Sequence, residues 1–122
     1  MAIVNIPQSD WNDFLESFTR QHRGWLIRIE TSDLHTKETV TSEFWPLESL
    51  VLDLEDEVNP RINLTVKSGN TESRHILFRP SRVTLYHSAE GADEALAIES
   101  VSTRTTLRFR VAIKAEMVDE VA

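Results

Sequence analysis

Any chemistry this chain performs must come from four histidines, a set of arginines in its second half and twenty carboxylates, because it contains no cysteine. Thiol nucleophiles, disulfides and cysteine-ligated metals are thereby closed. His22, His35, His75 and His87 are never three or four residues apart, so no single helix offers a pair of metal ligands. The acidic run Asp53, Glu55, Asp56, Glu57 lacks the glycine and spaced oxygen ligands of a calcium loop. No G-x-S-x-G is present, and Gly24, Gly69 and Gly91 are too scattered to cradle a phosphate. The sequence therefore assigns no catalytic, cofactor or metal residue, and the reading leans away from an enzyme.

Two polar sets remain. Arg79, Arg82, Arg108 and Arg110 form a candidate anion or partner surface, since Arg108 and Arg110 share the strand face opposite Leu107 and Phe109. The same arginines could instead pair with Glu94 and Glu99 on a neighbouring strand. His75, Tyr86 and His87 are candidates for a pocket, should the strands close around one.

The elements that must hold these residues announce themselves by a change of period. Trp11, Phe14, Leu15 and Phe18 have the i, i+3, i+4, i+7 spacing of one helical face over Ser9–His22. Pro7, Ser9 and Asp10 mark its start. Arg20, His22 and Arg23 suit its negative end, and Gly24 can turn the chain out. From Trp25 onward the period is close to two. Strands are predicted for Trp25–Thr31, Thr36–Phe44 (ending near Pro46), Ser49–Leu54, Arg61–Lys67, Ser73–Arg79, Arg82–His87 (a new strand, or the preceding one continued after a bend at Pro80), Glu94–Ser100 and Thr105–Ile113. A hairpin turn at Ser68-Gly69-Asn70 and a solvated loop from Glu55 to Pro60 separate some of them.

The fold class is thus α+β and mainly β: an N-terminal amphipathic helix packed on a seven- or eight-stranded antiparallel meander, open and curved or closed as a small barrel. Residues 1–114 are expected to form one domain, with 115–122 a frayed acidic tail.

Charge bounds the partners. The chain has 122 residues and a net charge of −7, which disfavours nucleic acid as a general ligand. Residues 1–57 hold 4 basic and 12 acidic side chains, whereas 58–114 hold 9 and 5. Acidic and basic strands lying side by side would neutralise this asymmetry. No apolar run reaches the roughly 20 residues of a bilayer span, and no secretory leader is apparent. A cytoplasmic protein with no membrane partner is the expectation.

Trp11, Phe14 and Phe18, the Gly24-Trp25 step, the segment EGADEALAIES from Glu90 to Ser100 and the closing Leu107-Arg108-Phe109-Arg110 together resemble a family of small bacterial proteins of unknown function. That resemblance covers most of Pro7–Arg110 and implies no catalytic residues. The helix-then-bent-sheet order is also similar to Sm-type RNA-binding proteins. The strand region is longer here, however, and the paired Sm motifs are absent. The resulting expectation is a non-enzymatic binding or interaction module that forms a homo-oligomer. The alternatives are a small barrel with a ligand or active site at its mouth and, less favoured, Sm-like nucleic-acid binding.

Overall fold

The aromatic stripe folds as the spacing predicts. In the computed structural model, which describes residues 2–113, α1 spans Trp11–His22 and buries Trp11, Leu15, Phe18, Thr19 and His22, with Phe14 half-buried beside them. Its start differs from expectation. Pro7 opens a short 3₁₀ turn, Gln8–Asp10, and neither Ser9 nor Asp10 caps the helix through its side chain. At the other end Gly24 has φ of +87°, a conformation only glycine adopts freely, and its N–H donates to Leu47 O at 2.8 Å.

Eight strands form one antiparallel sheet: β1 (Ala2–Ile6), β2 (Leu26–Asp33), β3 (Thr39–Asp53), β4 (Arg61–Ser68), β5 (Thr71–Phe78), β6 (Arg82–His87), β7 (Asp93–Glu99) and β8 (Thr103–Ile113), in the order β1-β6-β7-β8-β2-β3-β4-β5. Two differences from the predicted strands are informative. β1 precedes the helix and was not foreseen, because five residues of mixed character carry no readable period. The stretches on either side of Pro46 are one strand rather than two. Its first half pairs with β2 and its second with β4, and the register slips between Leu47 and Ser49. Proline lacks an N–H, so it is tolerated where one ladder hands over to the other at a bulge.

The connection Arg79-Pro80-Ser81 forces the sheet to curl. Four extended steps reach about 14 Å, whereas six strand spacings across a flat sheet from β5 to β6 would be roughly 29 Å. The curl stops short of closure, leaving β1 and β5 as edges. Its concave side is filled. Ile27, Ile29, Leu47, Leu50, Ile62, Leu64, Val66, Leu77, Val83, Leu85, Leu96, Ile98 and Leu107 join Trp11, Leu15 and Phe18 in one core cluster.

The helix also covers a strand edge. Past Leu47, β3 has no neighbour on its β2 side, and there Thr19 Oγ1 accepts from Leu50 N at 2.9 Å while donating to Leu50 O at 3.2 Å. Arg23 Nε donates to Glu48 O just before it. The predicted tail, 115–122, lies outside the described residues.

Candidate functional site

Pleating sends alternate residues of β6, β7, β8 and β2 to the convex face, where register aligns them in rows. Tyr86, Ala95, Arg108 and Arg28 form one row; Thr84, Ala97, Thr106 and Glu30 form the next. Thr84, Ala95, Ala97 and Thr106 are all buried although they point away from the core. Small side chains are overhung by long ones around them. The result is a trough of about 380 Å³ lined by Glu30, Ser32, Tyr86, Glu94, Arg104, Thr106 and Arg108.

Its charges are fixed by specific contacts. Arg108 Nε donates to both carboxylate oxygens of Glu30, at 2.9 and 3.0 Å. Arg104 Nη2 donates to the Tyr86 hydroxyl, and its Nη1 is 4.0 Å from Glu99. Arg28 stacks over Phe44, 4.4 Å from the ring centroid. Glu94 has no hydrogen-bonding or ion-pairing partner among the described residues. The acidic first half of the chain meets the basic second half here, since Glu30 pairs with Arg108, and again where Asp53 meets Arg61 at 3.4 Å.

A second polar cluster lies where the helix ends. His22, only 2 % exposed, has Nδ1 2.9 Å from Phe18 O, and its ring lies between those of Phe18 and Phe109, at 4.4 and 4.8 Å. Asp93 stands between two imidazoles, with Oδ2 3.2 Å from His22 Nε2 and Oδ1 3.0 Å from His87 Nδ1. Both contacts are off line for hydrogen bonds. Among the described residues no three metal-ligating side chains converge on one point. His22, expected as a charge at the helix's negative end, thus belongs to the core.

Of the sequence candidates, Arg108 enters the trough and Arg110 follows it on the same face, exposed. Arg82 lies opposite Glu99 at the end of the face. Arg79 is set apart, in the β5–β6 link with φ of +50°, beside a recess lined by Asp56, Asn59, Arg61 and Phe78. Arg108 pairs with Glu30 rather than with Glu94 or Glu99. The trio His75, Tyr86 and His87 is not brought together. Tyr86 turns to the convex face and His87 to Asp93, while His75 is on β5, beside Ser73.

Arg104 and Glu30 were not singled out by sequence reasoning, and Glu94 was named only as a pairing partner for the arginines. The signal available was the alternation of Arg104, Thr106 and Arg108 facing small Ala95 and Ala97, which becomes legible only once strand order is known.

The exposed apolar residues form a separate feature. Ile76 and Phe78 on β5 are 42 % and 53 % exposed, and Val51 on β3 lies in the same row as Ile76, with Asn63 between them. Val101 is also exposed, and its N–H approaches Phe78 O. No helix among the described residues is long and apolar enough to cross a membrane.

Neither the curated proteins nor the solved structures hold a match to the chain. A family model does match residues 2–118, and the chain belongs to that family, the family of unknown function DUF5335.

Proposed function

We infer that the protein is a non-enzymatic interaction module that self-associates through its β5 edge. The observation that carries this reading is the coincidence of a strand edge with no neighbour among the described residues and exposed apolar side chains, Val51, Ile76 and Phe78, on the same side of the sheet. A filled concave side leaves surfaces to carry function, and an uncovered edge is a template for another strand.

The partner this edge fits is a second copy. Antiparallel pairing of two β5 strands about a two-fold axis at Ile76 sets Ile76 against its counterpart and Arg74 against Phe78 of the other copy, twice. These are an apolar cross-strand pair and two arginine–aromatic contacts. Such an isologous contact closes as a dimer. The absence of cysteine suits a reducing, cytoplasmic setting. The net charge of −7 weighs against phosphate backbones as the partner.

Sedimentation equilibrium tests the reading. The native chain should sediment at twice its 14.0 kDa mass, and Ile76→Lys should return it to the single-chain mass with an unchanged circular dichroism spectrum. A native protein that stays at the single-chain mass at about 100 μM would refute it.

A further inference from the structure

The geometry points to the convex trough as a binding site for a small zwitterion, a molecule with a carboxylate or phosphate at one end and an ammonium group at the other. The oxyanion end is read from Arg108. Glu30 engages its Nε alone, with both carboxylate oxygens, so the guanidinium is held in orientation while both terminal amino groups have no protein partner among the described residues. That fork matches the two oxygens of a carboxylate or phosphate.

Tyr86 supplies the facing donor. Its hydroxyl accepts from Arg104, which leaves its own proton to give. Tyr86 and Arg108 share one register row with only the methyl of Ala95 between them. Two strand spacings, about 10 Å, thus separate their backbones across a notch, the place proposed for the oxyanion.

The cationic end is read from Glu94. It lines the same trough without a partner among the described residues, and it would repel a simple anion. With Glu30 paired to Arg108 and Arg104 beside Glu99, Glu94 is the charge of the trough left without a partner among the described residues, and it meets the ammonium end of a zwitterion. No β5 residue lines the trough, so ligand binding and self-association are measured separately.

Isothermal titration of the full chain with a panel of α-amino acids and with phosphoethanolamine, each set against acetate, inorganic phosphate and ethanolamine, tests the assignment. The two zwitterion types decide whether carboxylate or phosphate is the preferred oxyanion. At least one zwitterion should bind about tenfold or more tightly than either of its halves. Arg108→Gln should weaken that binding by about tenfold or more, and Tyr86→Phe by a few fold. Glu94→Gln should weaken the zwitterion and strengthen acetate or phosphate. The assignment is overturned if no probe binds below about 10 mM, if simple anions bind as tightly as zwitterions, or if both Arg108→Gln and Tyr86→Phe, with native melting profiles, bind as the native chain does.

Discussion

Replacing Thr19 by valine should cost this protein a large part of its stability although the two side chains have nearly the same shape. Thr19 is buried on α1, and its hydroxyl serves both backbone groups of Leu50, accepting at 2.9 Å and donating at 3.2 Å. Leu50 is itself 1 % exposed, on the stretch of β3 that has no strand on that side. Valine would leave a buried N–H and a buried carbonyl without partners, each worth about 1–3 kcal/mol of desolvation. One added methyl offsets roughly 0.8 kcal/mol of this. The net expectation is a loss of about 2–4 kcal/mol, against a total of about 5–15 kcal/mol for a domain of this kind. Thr19→Ser keeps the hydroxyl and gives up only the methyl, so it should lose about 1 kcal/mol. Urea denaturation followed by tryptophan fluorescence separates the two, since a change of midpoint at constant slope reports stability alone. A valine variant as stable as the native chain, or a serine variant less stable than the valine one, would refute the claim that the hydroxyl closes the open edge of β3.

Three further perturbations are predicted. Trp11 donates from Nε1 to Ile6 O at 2.9 Å and is buried, so Trp11→Phe should cost about 1–3 kcal/mol and Trp11→Ala about 3–5 kcal/mol in the same urea titration. Lys37 has φ of +67° in the turn between β2 and β3, so Lys37→Gly should be neutral or stabilising, by up to about 1 kcal/mol, and a lower melting temperature would contradict it. Asp33 accepts from the backbone N–H groups of Thr36 and His35, which hold its carboxyl below the ordinary aspartate value of 3.8. Its contribution is therefore present above the ordinary carboxylate range and lost as pH falls through the lowered value. In an NMR pH titration the Asp33 carboxyl carbon should show its transition below the ordinary range, the Thr36 amide should share that acid transition, and Asp33→Asn should abolish it.

How much of this was legible beforehand depends on whether the signal is local. The helix was, because Trp11, Leu15 and Phe18 declare one face by spacing alone. Most strands were too, since Ile27 and Ile29, or Ile62, Leu64 and Val66, alternate with polar neighbours. What escaped was everything set by strands far apart in sequence. Glu30 meets Arg108 only because β8 returns beside β2. His22 looked like a helix-end charge and is a core residue because Asp93 and Phe109 arrive from β7 and β8. Pro46 suggested a strand end because a proline removes a ladder bond, yet at that point β3 exchanges one neighbour for another.

The same long-range pairing explains why the convex face, and not the concave one, is where ligand chemistry can gather. A curled sheet with a helix laid along its inner side has its interior occupied mostly by bulk: among the described residues, Leu, Ile and Val from seven strands fill it together with Trp11 and Phe18. On the outer side, strand residues normally stand in water and need only be soluble. In β6–β8 they are instead alanine and threonine at the centre and arginine, glutamate and tyrosine around them. Solubility alone does not require a floor of small residues, nor an arginine held by Nε with its fork left open. A depression of that construction stabilises nothing that larger side chains would not stabilise better, since filling it would bury more apolar surface. Ala95→Leu therefore separates the two accounts. A folded and more stable variant that still binds every zwitterion the native chain binds would show the depression to be incidental, whereas loss of binding with stability kept or gained would show that the notch exists for what rests in it.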